Sequence, residues 1–250
     1  SRGLGDVYKR QAYDVTGDGT KDKIRIRAAN QTDDETYTSL TVSVNGKTAY
    51  RLKNTRFYNV IANIYTLKNG QPFLYLYAPA DNGDGPVCAL LKYTNGKFRK
   101  ALDFTEIMAG YGNHRIGEVT NLNGNKIVIT ESIVSYSLGI NAINFTYEYV
   151  NGKFVPTSRY GSYKEIYSAD GSSRYFTVNS ELPAYARPGA TAVNTTLKTG
   201  SLTKIIKCAL ISGKMYIQLE CDGEIYWIKA LENPPIADNE RQFMEVRYAG

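Results

Sequence analysis

The sequence predicts an all-β protein assembled from repeated antiparallel units, with a small barrel at its C-terminal end. Two observations lead there. Tyrosine is in excess, 21 against 8 Phe and 1 Trp, and 22 glycines accompany it, a balance suited to many short strands joined by tight turns. Asn-Gly pairs at 45, 69, 95, 123 and 151 then announce five hairpins, because both central residues of a type I′ turn need positive φ.

Around these turns the apolar residues alternate or run in short bursts: Ile24 and Ile26, Val42 and Val44, Phe73 to Tyr77, Ile127 to Ile129, then Ile143, Phe145, Tyr147 and Tyr149. The turns are also periodic. Gly17, Gly70 and Gly124 each precede an apolar strand, and Gly46, Gly96 and Gly152 close hairpins on SVNGKTAY, KYTNGKFRK and EYVNGKFVP. Three copies of one four-stranded unit follow, the make-up of a propeller blade, so residues 12–155 read as a propeller-like array. One short helix is expected in LDFTEIMAG, capped by Asp103 or Thr105.

After Pro156 the rhythm stops, and TSRYGSYKEIYSADGSSRY reads as a linker over 156–175. Strands resume near Arg174 to Val178, Leu202 to Leu210, Met215 to Glu220 and Glu224 to Lys229. A loop with Pro234 and Pro235 precedes a last strand, FMEVRY, so 176–250 makes a small barrel. At the other end, SRGLGDVYKRQ resembles translated adapter read-through at the ends of metagenomic reading frames. Ser1 to Gln11 is therefore left out of the fold, with a signal peptide expected upstream of Ala12.

The chain carries 30 basic and 24 acidic residues, a net charge of +6, which becomes +4 without Ser1 to Gln11. The cations stand singly along strands rather than in one stripe, so a nucleic-acid partner is not expected, and an anionic wall polymer is compatible. No run approaches the ~20 consecutive apolar residues of a transmembrane helix. Cys88, Cys208 and Cys221 lack any CxxC spacing and His114 is the one histidine, which excludes Cys/His zinc sites and leaves buried free thiols as the expectation.

One constellation carries chemistry. DVTGDGTKDKI, residues 14–24, sets Asp14, Thr16 and Asp18 at loop positions one, three and five, with Gly19 at the reversal. Thr20 offers its carbonyl and Asp22 binds directly or through water, the alternate-oxygen pattern that a hard calcium ion needs. Arg25 stands where a helix-flanked loop would place its bidentate Glu, and the exit reads as strand. This D-x-T-G-D-G-x-x-D loop resembles the calcium signature of the FG-GAP and VCBS repeats of extracellular propellers. The turns LKNGQPFLYL and NLNGNKIVI lack the carboxylates and are read as metal-free. ADNGDG at 80–85 reads as a turn.

The C-terminal marks ELPAYARPGA, TLKTG and DGEIYWIKA resemble a bacterial Src-homology-three-like barrel of secreted wall proteins. That resemblance makes Tyr226 and Trp227 candidate ligand contacts, although both also suit packing. No catalytic residue is assigned: no GxSxG elbow, Cys-His signature or phosphate-cradling loop occurs, and Glu118 and Glu131 have no spacing argument behind them. The expected function is a secreted or cell-surface, calcium-stabilised binding or adhesion module for cell-wall or extracellular glycan or protein ligands. The alternatives are an accessory part of a wall or polysaccharide hydrolase, and a structural spacer.

Overall fold

A computed structural model describes residues 7–81 and 84–248. The protein is all-β, its sheets antiparallel, with no α-helix and no sheet closed into a barrel among the described residues. The chain divides into two compact units. The first holds Ser1–Ile107, Leu122–Ile127 and Tyr149–Phe154, and the second Met108–Asn121, Val128–Glu148 and Val155–Gly250.

The first unit contains two four-stranded meanders. Strands β1 (Val7–Tyr13), β2 (Asp22–Gln31), β3 (Tyr37–Val44) and β4 (Lys47–Phe57) form one, in chain order. Strands β5 (Ile61–Thr66), β6 (Pro72–Ala78), β7 (Val87–Thr94) and β8 (Lys97–Asp103) form the other. Alternation writes β2: Ile24, Ile26 and Ala28 are buried, and Lys23, Arg25 and Arg27 between them are exposed. PFLYLYA of β6 is buried throughout, as a strand covered on both faces must be. Both meanders contribute to one core, including Leu40, Val42, Phe57, Leu74, Leu76 and Leu91. The hairpin tip 149–154 adds an aromatic cluster, with Phe73 4.9 Å from both Tyr149 and Phe154, ring centre to ring centre.

Strands β9 (Gly112–Asn123), β10 (Lys126–Ser135), β11 (Gly139–Val150) and β12 (Lys153–Pro156) repeat the meander, but β11 also pairs with β13 (Tyr160–Ser168). β13 pairs in turn with β18 (Leu202–Ile211), which continues through β19 (Lys214–Cys221) to β20 (Glu224–Lys229) in a ten-stranded sheet. Two short strands join it from the side: β14 (Gly171–Ser172) on β13 and β15 (Tyr175–Thr177) on β18. β16 (Leu182–Ala184) and β17 (Thr195–Leu197) make a separate hairpin.

The NGK turns form as the sequence requires: Asn45 and Gly46, Asn95 and Gly96, and Asn151 and Gly152 all have positive φ, joining the third and fourth strands of each meander. The other two Asn-Gly pairs turn differently. At 69–70 only the glycine is left-handed, and between β9 and β10 the turn residues are Gly124 and Asn125. The predicted helix is one 3₁₀ turn, Phe104–Glu106, with the Asp103 carboxylate accepting from the Thr105 N–H at 3.2 Å.

Four sequence expectations need correction. Of Ser1 to Gln11, left out of the fold, residues 1–6 lie outside the described residues, and 7–11 lie in β1, with Val7 opposite Ala28 and Gln11 opposite Ile24. The linker 156–175 carries β13, whose buried Gly161 and Tyr163 alternate with exposed Ser162 and Lys164 until a register shift precedes buried Ile166, a pattern hidden by the Ser and Gly around it. The C-terminal strands therefore extend a large sheet instead of closing a barrel of their own. FMEVRY forms no strand; it makes two single bridges, Phe243 to Val178 and Val246 to Ser168. Between them the Glu245 carboxylate accepts from the Thr177 N–H at 2.7 Å.

Candidate functional site

The acidic loop joins β1 to β2, and its shape comes from carboxylates accepting from nearby backbone N–H groups. Asp14 Oδ1 accepts from the Gly17 N–H at 2.6 Å and Oδ2 from the Gly19 N–H at 2.8 Å. Asp18 accepts from the Thr20 N–H at 2.8 Å. Gly17 (φ +79°) and Gly19 (φ +83°) take the left-handed conformation that lets the chain coil around Asp14.

Asp22 is the buried member, 2% exposed. Its Oδ2 accepts from the Val15 and Thr16 N–H groups at 2.8 and 2.9 Å, and its Oδ1 from the Asn45 amide at 2.6 Å. Burial pushes its carboxyl pKa up. The hydrogen bonds from Thr16, Asn45 and Val15 outweigh burial and hold the net value below the ordinary carboxylate range. Thr16 Oγ lies 3.4 Å from Asp14 Oδ1 and 3.3 Å from Asp22 Oδ1, so loop positions one, three and nine converge on one hydroxyl. Asp18 and Thr20 bond to each other and are exposed.

The donor set is hard oxygen throughout, the chemistry of a calcium site. Among the described residues, however, no group of three or more His, Cys, Asp or Glu side chains is gathered for a metal. Asp22 is already engaged by four donors. A cation here would take Asp14, Thr16 and Asp18 oxygens together with carbonyl and water oxygens, with Asp22 anchoring the loop from beneath. A polar cleft of about 320 Å³ opens beside the loop, lined among others by Asp14, Thr16, Asn69, Gln71 and Tyr93.

Asn45 belongs to this site and sequence reasoning sees it only as a turn residue. Its carbonyl oxygen accepts from the Lys23 N–H at 2.8 Å while its amide reaches Asp22. The signal is the register that brings the β3–β4 turn beside the start of β2, with Ile24 opposite Val44.

The other candidates stand apart from the loop. Trp227 is 4% exposed and packs with Tyr185, Ala209 and Tyr216, its ring centre 5.9 Å from that of Tyr160. Tyr226 is half-buried opposite Leu219. His114 lies in β9 with φ +54°, Glu118 is exposed on the same strand, and Glu131 is fully buried in β10. All three cysteines are free and buried. Cys208 stands opposite Ile217 and Cys221 opposite Thr203, which keeps the two apart. No family model, curated protein or solved structure matches the chain.

Proposed function

We propose that the protein is a calcium-stabilised extracellular or cell-surface binding module, its meanders serving as propeller-like blades that present loops to a wall polymer or extracellular glycan. The observation that carries the reading is the coiling of the turn between β1 and β2 around Asp14, which sets Thr16 Oγ1 3.4 Å from Asp14 Oδ1 while the buried Asp22 anchors the loop. A divalent ion held there would fix that turn against the polar cleft beside it, which also offers Asn69 and Gln71 as hydrogen-bonding groups.

The C-terminal strands β16 to β20 are read as related to a bacterial Src-homology-three-like unit, with β18 to β20 joined into the larger sheet instead of closed as a barrel. In support, the backbone just beyond β16 bonds to β20, the Tyr185 N–H donating to the Trp227 carbonyl at 2.7 Å and the Trp227 N–H to the Tyr185 carbonyl at 2.9 Å.

Thermal melting with calcium and with chelator tests the metal. A ligand at a hundredfold excess over its Kd stabilises the native state by about 2.7 kcal/mol, so the midpoint rises with calcium and the rise vanishes in Asp18→Ala. Superimposable melts would sink the calcium reading. Co-sedimentation of the full chain with insoluble wall polymer and glycans, without release of soluble fragments, is the expected result for a binding module. Fragment release would assign a hydrolase.

A further inference from the structure

The cations that stand singly along the sequence are gathered by the fold. β4, KTAYRLKNTRF, carries Lys47, Arg51, Lys53 and Arg56 and no acidic residue, and β8, KFRKALD, carries Lys97, Arg99 and Lys100 against Asp103. These are the last strands of their sheets, and within the first unit they lie against each other. Arg56 pairs with Asp34 at 3.2 Å, and Lys100 pairs with Asp103. Among the described residues no carboxylate pairs with Lys47, Arg51, Lys53, Lys97 or Arg99.

Between the two strands runs a groove of about 290 Å³, lined by Thr48, Ala49, Tyr50, Arg51, Lys97, Phe98 and Arg99. Two cations from different sheets meet there on one neutral residue: Lys97 Nζ donates to the Thr48 carbonyl at 3.1 Å and Arg51 Nη2 to the Thr48 hydroxyl at 3.5 Å. Guarding an edge strand against other chains explains charges that point into solvent. It does not explain like charges drawn together at one groove, where they repel unless an anion lies between them.

We propose that this groove binds an acidic polysaccharide, its carboxylate or sulfate groups held by Arg51, Lys97 and Arg99. The assignment rests on the glycan-binding reading above and adds the ligand's charge and its place. Lys47, Arg51 and Lys53 are distributed over roughly 20 Å of extended strand, which lets a polymer engage several cations in succession. The guanidinium forks of Arg51 and Arg99 suit planar carboxylates and sulfates. Single-stranded nucleic acid would call for open rings on which bases stack, whereas Phe98 is 5% exposed and Tyr50 is half-buried.

The test measures binding of the full chain to labelled polygalacturonate, heparin, a neutral glucan and a short DNA duplex across a salt titration. Both acidic glycans are expected to bind with an affinity that falls as salt rises, and the glucan is not expected to use the groove. The triple variant Arg51→Ser/Lys97→Ser/Arg99→Ser should lose at least about tenfold in affinity and flatten the salt slope by about one unit per contact removed. The control Lys164→Ser/Arg187→Ser/Lys204→Ser, which removes the same charge from exposed positions of the second unit, should bind as the parent does.

Equal losses in both variants would overturn the site. So would acidic-glycan binding untouched by the groove substitutions, while leaving glycan binding itself intact. Failure of the parent to bind any glycan would overturn the broader reading as well. Tighter binding to DNA than to either acidic glycan would overturn the choice of polymer.

Discussion

Asn45 donates its amide to Asp22 across 2.6 Å, tying the turn that closes β3 onto the loop that opens β2. The same Asn adopts φ +50° and accepts from the Lys23 N–H at 2.8 Å, so one side chain sets the hairpin, extends the β2–β3 pairing and satisfies a buried carboxylate. The loop's order therefore depends on a residue more than twenty positions away.

Asp22→Ala should cost about 3 kcal/mol of unfolding free energy, because it removes charge-assisted hydrogen bonds and strands the Val15 and Thr16 N–H groups. Asp18→Ala, which removes one exposed acceptor, should cost less than about 0.5 kcal/mol with chelator present. Urea denaturation of both variants in chelator checks the contrast.

The Asp22 carboxyl has its folded pKa below the unfolded value near 4, so its stabilisation is fully present above that pH. It is lost as pH falls through the lower folded value. Urea midpoints between about pH 5 and pH 2 should show this acid loss in the parent and a shallower one in Asp22→Asn, which cannot ionise.

Gly139→Ala should be among the most damaging single changes. At φ +64° an added Cβ would stand 2.1 Å from the Arg247 carbonyl oxygen, and that carbonyl accepts from the Ile140 N–H at 3.0 Å. Strain and lost contact together should exceed about 2 kcal/mol. Gly46→Ala, with φ +82° and open space around it, should cost only about 1 kcal/mol. Thermal melts of the two variants decide.

Thiol reactivity should be silent in the native state. Burial pushes the Cys208 thiol up to about 12, and burial followed by the neighbouring Asp222 raises Cys221. At pH 8 a chromogenic disulfide reagent should label none of Cys88, Cys208 and Cys221 quickly, and all of them after denaturation.

Much of this fold is local in origin and so can be read along the chain. Asn-Gly at 45, 95 and 151 forces left-handed pairs, and the alternation around Ile24, Ile26 and Ala28 fixes which face of β2 is buried. What escaped depends on partners distant in sequence. β13 is recognisable only once β11 and β18 stand on either side of it, since its own Ser, Gly and Lys residues resemble loop. FMEVRY looks like strand but spends its groups on single bridges and on the Glu245 cap. The acidic loop was legible as a set of oxygens; its dependence on Asn45 and the basic groove at Thr48 both needed the register of strands that the sequence lists far apart.

β13 is stitched on one side to β11 and on the other to β18. A protease cut inside β13, between Tyr160 and Ser168, would take from both neighbours part of the strand they share. Each would be left with a bare row of N–H and C=O groups, and the resulting fragments would precipitate by edge-to-edge stacking before they could behave as separate modules.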